Sequence, residues 1–173
     1  MVILFARTWL EELIAEWLCV NGYSIGVNIP AGAGEKGGRK EADIIGVMPT
    51  NNGIKMVHYE VVHGTSELQK MADRIVEKFS PDRINYIKSY FLRKCDNCVV
   101  TYEKYAVVEG CSHNCAKKLR DMLPQDIVVE HIRDFLKNVI SLAKEYGARR
   151  RTFPDSCWML NMLRSIAEEG LLT

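Results

Sequence analysis

Residues 37–47 read GGRKEADIIGV, and after a PTNNG segment at 49–53, residues 53–62 read GIKMVHYEVV. The Asn and Gly of that segment tolerate positive φ, so Ala42 to Val47 and Ile54 to Val62 are expected to pair as an antiparallel hairpin. Each apolar run carries one acid, Asp43 in the first and Glu60 in the second. A carboxylate in an apolar strand is costly to bury unless it meets a partner, a proton or a metal. Two on adjacent strands therefore mark a candidate site. Residues two apart share a face of a strand, so His58, Glu60 and Val62 point together, whereas Lys55 and His63 point the other way.

Upstream of the hairpin, Trp9, Leu10, Leu13, Ile14, Trp17 and Leu18 recur at helical spacing, with Glu11, Glu12 and Glu16 read as largely off that face. Asn21 and Gly22 end this helix, Tyr23 to Ile29 alternates as a strand, and Pro30 to Gly38 is a loop with four glycines. Downstream, the periodicity predicts helices over Ser66 to Phe79 and Asp82 to Leu92, a short strand over Tyr105 to Val108 and a helix over Cys115 to Leu123. A strand over Asp126 to His131 and helices over Asp134 to Tyr146 and Ser156 to Glu169 complete the pattern. A meander followed by alternating elements favours an α/β fold with a mixed central sheet and helices on both faces.

At 173 residues, one domain covering 1–173 is expected, with 93–115 as a candidate cysteine-bearing insertion. No apolar run approaches the roughly 18 residues of a membrane span. The opening MVILFARTWLEELIAEWL is interrupted by Arg7, Glu11, Glu12 and Glu16 and lacks a small-residue cleavage site, so a cytoplasmic location without membrane association is the expectation. Net charge is +1, so any nucleic-acid contact must come from local patches: Lys36, Arg39 and Lys40, or the run Arg149, Arg150, Arg151. No nucleophile elbow, phosphate-binding loop or dinucleotide fingerprint is present. Trp9, Trp17 and Trp158 lie in helical stretches and read as core.

Glu11 in the first helix, the Gly22-Tyr23 pair, Asn28, the glycine loop, Glu41-Ala42-Asp43-Ile44-Ile45 and Tyr59-Glu60-Val61-Val62 together resemble the PD-(D/E)XK nuclease superfamily. The likeness is to its archaeal Holliday junction resolvase branch and small relatives. It is concentrated in about the first 65 residues. It implies a restriction endonuclease-like fold and a divalent-metal-dependent DNA endonuclease, structure-selective or of repair type, with a homodimer by analogy. By the same resemblance, Asp43, Glu60 and the carbonyl of Val61 would hold Mg2+ or Mn2+, Glu11 would support them, and Lys40 or Lys36 would contact the phosphate. Such a site suits phosphodiester hydrolysis, which needs an activated water and stabilisation of charge on the phosphate and the leaving oxygen.

The chain departs from that family at Val62, where a lysine is expected. Three readings follow. The lysine has moved, to Lys40, Lys36 or Lys70; or a histidine takes part of its work, His58 being better placed than His63; or the site is degenerate. The last reading leaves a DNA-binding or protein-interaction module on a nuclease-like fold. A simpler reading also stands, in which Asp43 pairs with Arg39 or Lys40 and Glu60 forms an ordinary salt bridge.

Cys95 and Cys98 form a C-x-x-C, and Cys111 and Cys115 a C-x-x-x-C with His113 inside it. Paired thiolates of this kind can clip Zn2+, with disulfides, an iron-sulfur cluster or free thiols as alternatives. A single ion would require the chain to bend back near Tyr102 to Lys104. Cys19 and Cys157 read as core residues.

Overall fold

The structure, a computed structural model, describes residues 8–33, 39–92 and 99–171. The helix α1 (Trp9–Val20) starts where the Thr8 hydroxyl accepts the Glu11 N–H at 3.2 Å. Three strands follow, β1 (Ser24–Ala33), β2 (Arg39–Thr50) and β3 (Gly53–His63), then helices α2 (Leu68–Lys78) and α3 (Pro81–Phe91). The chain continues through β4 (Val100–Glu109), α4 (His113–Met122), β5 (Ile127–His131), α5 (Ile132–Ala148) and α6 (Trp158–Glu168). The five strands form one sheet in chain order. The first three are antiparallel, and β4 and β5 run parallel to β3. This is an α/β architecture on an open mixed sheet.

The alternation of β3 divides the core. Val57 and Tyr59 pack with Ile44, Val107 and the apolar residues of α1, α5 and α6. Met56 and Val62 face the opposite layer, where α2, α3 and α4 contribute Met71, Ile75, Ile87 and Leu119. The hairpin between β2 and β3 closes as expected, with Thr50 opposite Gly53. A Cβ on Gly53, whose φ is +148°, would lie 2.1 Å from the carbonyl oxygen of Val99, so the entry to β4 depends on this glycine.

Several expectations are corrected. The strand expected at Tyr105 begins at Val100 and pairs in parallel with β3 from Ile54↔Val100 to His63↔Glu109. Residues 100–109 are therefore part of the central sheet and not of an insertion over 93–115. The strand runs without the bend near Tyr102 to Lys104 that a four-thiolate ion would need, and ten residues of strand separate its ends by about 30 Å. Cys95, Cys98 and Lys36 lie outside the described residues. Trp9 and Trp158 are about half exposed and Cys19 is exposed, whereas Cys157 is buried as expected. Glu16, read as off the apolar face, is fully buried because the start of α6 packs on it. Among the described residues, no helix is long and apolar enough to cross a membrane.

Candidate functional site

Asp43 sits where the strand ladders on both of its sides become irregular. The β2–β3 register runs from Thr50↔Gly53 to Ile44↔Tyr59 and stops one residue short of Asp43 and Glu60. On the other side, Val27 pairs with Ile44 and Ile29 with Ala42, which puts Asn28 opposite Asp43, and Asn28 has a left-handed φ of +52°. In place of a ladder bond, the Asp43 carboxylate accepts the N–H of Val61 through Oδ2 at 2.9 Å. Local sheet geometry thus frees the Asp43 side chain to stand beside Glu60.

Both carboxylates converge on one ammonium. Lys78, the last residue of α2, donates to Glu60 Oε2 and lies 3.3 Å from Asp43 Oδ1. Glu60 is fully buried, whereas Asp43 is partly buried, with 16% of its side chain exposed. On its other oxygen, Glu60 Oε1 is 2.7 Å from Nε2 of the equally buried His58, whose Nδ1 is 2.9 Å from the Tyr102 hydroxyl. Close by, the Arg83 guanidinium is buried. Its Nη2 is 3.6 Å from Glu77 Oε1, while its Nε and Nη1 have no hydrogen-bond partner among the described residues.

The electrostatics follow from burial and like charge. Burial, and then the neighbouring Glu60 charge, push the Asp43 carboxyl up to about 6. Burial also raises Glu60, against the opposing pull of Lys78. For Lys78, burial disfavours the charged form, but Glu60 and Asp43 outweigh it and the ammonium pKa is raised. Burial drives His58 down to about 3, so its imidazole is neutral. The result is two mutually repelling carboxylates held together by a cation.

Of the lysines weighed for the vacant position 62, the structure brings none of the described ones to the pair. Lys40 forms a salt bridge with Glu77 at 3.2 Å, and Lys70 pairs with Glu67 at 2.8 Å on an exposed turn. His63 is largely exposed and pairs with Glu109, while His58 joins the site as its strand face required. Glu11 is buried on α1, a helix whose apolar residues pack with Ile44 and Tyr59, the immediate neighbours of Asp43 and Glu60. Lys78 escaped sequence reading because it lies 18 residues from Glu60 and 35 from Asp43. A signal did exist: counted back along α2, Lys78 falls three residues after Ile75 and seven after Met71, the helix's buried face.

The residues present suit a hard divalent ion. Asp43 Oδ1 and Glu60 Oε2 converge on one positively charged point, and Mg2+ commonly binds through one or two carboxylates with water completing its shell. Among the described residues no group of three or more His, Cys, Asp or Glu side chains forms a metal cage. Cys111 and Cys115 are free thiols, and burial together with Cys115 pushes the Cys111 thiol up to about 12.

No family model matches this chain, and neither a curated protein nor a solved structure matches it.

Proposed function

We propose that the chain is a divalent-metal-dependent deoxyribonuclease of restriction endonuclease-like fold, with Asp43 and Glu60 as metal ligands and Lys78 in the role of the lysine absent at position 62. One observation carries this reading: Lys78 bridges the two carboxylates at the point where β2 and β3 part. A structural ion pair needs only two partners and no opening in the sheet. Here two acids are forced together at a cost, and local irregularity of the backbone keeps them there.

Bound Mg2+ or Mn2+ would supply Lewis-acid stabilisation of the phosphate charge and a more acidic water. The protein's own groups would do the rest. Lys78, kept charged by the two acids, would move from them to the phosphate oxygens or the attacking water once a cation takes its place. Arg83 adds positive field, and its Nε and Nη1, without a partner among the described residues, are donors that suit an anionic substrate. Lys40, now paired with Glu77, would contact the DNA backbone. A second copy of the chain would let both strands of a duplex or branch be cut.

The test is cleavage of branched, single-stranded and duplex DNA in Mg2+ or Mn2+ by the wild-type protein and by Asp43→Ala. Metal-dependent cutting that disappears in the variant is expected. Cutting that survives it overturns the assignment, and DNA binding with no cutting on any substrate would instead identify a degenerate nuclease fold that binds without cleaving.

A further inference from the structure

Each oxygen of Glu60 is held by a side chain: Oε2 meets the Lys78 ammonium, and Oε1 meets the His58 imidazole at 2.7 Å. His58 has no exposure to solvent, so both of its ring nitrogens must find partners within the protein. Nδ1 finds the Tyr102 hydroxyl at 2.9 Å, across the parallel pairing of β3 with β4. The Phe79 ring stands edge-on to the imidazole with centroids 4.8 Å apart and closes its remaining side. Tyr102 is itself anchored, with the Lys88 ammonium 5.3 Å above its ring.

With Glu60 ionised against the Lys78 ammonium, one arrangement of protons fits this chain of contacts. An ionised carboxylate accepts and cannot donate, so Nε2 must carry the hydrogen directed at Glu60. Nδ1 is then the acceptor, and the Tyr102 hydroxyl donates to it. The opposite tautomer would set the Nε2 lone pair against Glu60 Oε1 in a site without water to relieve it.

We propose that Tyr102 and His58 form a buried relay, Tyr102 O–H to Nδ1 and Nε2–H to Glu60 Oε1, that fixes the Glu60 carboxylate with Oε2 presented to the cation, making both positioning residues for metal binding. The proposal rests on Glu60 being a metal ligand. It gives His58 a task different from that of the absent lysine, since a neutral imidazole locked between two partners neither moves to the phosphate nor exchanges a proton with water. Hydrogen-bonded partners of this kind orient ligating side chains, and their loss commonly costs about 10- to 100-fold in metal affinity.

Two measurements test it. In the metal-free protein at pH 7.5, the 15N shifts of the His58 ring should report the Nε2–H tautomer; the Nδ1–H tautomer in the wild type overturns the relay. In the second, Mn2+ affinity is measured by titration calorimetry alongside thermal unfolding. His58→Leu should weaken Mn2+ binding about 10- to 100-fold. Tyr102→Phe should weaken it a few-fold, and His58→Gln, whose amide nitrogen can take the place of Nε2, should stay within a few-fold of wild type.

Unchanged affinity in a folded His58→Leu overturns the proposal, as does a His58→Gln no better than His58→Leu. If His58→Leu does not fold, Tyr102→Phe decides, and wild-type affinity in that variant overturns it. A wild-type protein that binds Mn2+ but cuts no DNA refutes the nuclease reading and leaves the relay standing. One that takes up no Mn2+ refutes the metal-positioning role outright.

Discussion

Lys78 closes α2 with its ammonium against Glu60 Oε2, 18 residues back along the chain, and 3.3 Å from Oδ1 of Asp43. On the nuclease reading proposed above, the lysine that the strand lacks at position 62 is supplied from the helix packed over that strand. If Lys78 stabilises the phosphate or the attacking water, Lys78→Ala should lower cleavage about 100- to 1,000-fold, the scale for loss of one preorganised donor. Lys40→Ala and Lys70→Ala, whose partners are Glu77 and Glu67, should change it by no more than a few-fold. Single-turnover cleavage at saturating metal separates these cases, and equal losses in all three variants would remove Lys78 from its role.

Asp43 makes the site costly at neutral pH. Its folded-state pKa of about 6 stands above the ordinary 3.8, so the folded chain holds the proton more tightly than the unfolded chain. That contribution is fully present below about pH 4 and is lost as pH rises through 6, a span worth roughly 3 kcal/mol at about 1.36 kcal/mol per unit. Asp43→Asn, which keeps an oxygen for the Val61 N–H, should flatten this part of the stability profile. It should also be about 1 to 3 kcal/mol more stable than wild type at pH 8 without metal. Adding Mn2+ at 100 times its dissociation constant should stabilise the wild type by about 2.7 kcal/mol and the variant hardly at all. Urea denaturation from pH 4 to 8, with and without Mn2+, measures all three effects.

The hairpin, the two acids and their shared neighbourhood were legible in the sequence because strand alternation and an NNG turn are local signals. Even the face shared by His58 and Glu60 followed from counting by twos. What escaped was set by distant packing. Lys78 meets Glu60 only because α2 folds back over β3, and the strand expected at Tyr105 extends back to Val100 with its charges satisfied by residues distant in sequence, Glu103 by Lys55 at 2.8 Å and Lys104 by Asp126 at 2.6 Å. Glu16 was misread for the same reason, its partners lying 143 and 144 residues away.

That last carboxylate caps a helix from outside it. Cys157 at the N-cap of α6 makes no side-chain cap bond, and Glu16 instead accepts the N–H groups of Met159 at 3.1 Å and Leu160 at 2.8 Å. Burial raises its pKa and these bonds pull it back. Glu16→Ala strands both buried donors and should cost about 3 kcal/mol, whereas Glu16→Gln keeps one acceptor and should cost about half as much. Equilibrium unfolding checks the ranking, and DNA cleavage by the folded variants should be unaffected because α6 lies on the opposite face of the sheet from Lys78.

Val62 offers the most direct check on why the lysine stands where it does. Its side chain shares the Glu60 face but is 5% exposed and packs in one cluster with Met71, Ala72 and Ile75 of α2. A lysine there would drive its ammonium among those apolar residues, with Lys78 already at the carboxylates. Val62→Lys should therefore destabilise the protein by about 3 kcal/mol or more, the cost of an ill-partnered buried charge. Added to Lys78→Ala, it should restore no cleavage. Recovery of activity in that double variant would mean that α2 yields readily at position 62, and that the placement of the lysine on the helix is not dictated by the packing above the strand.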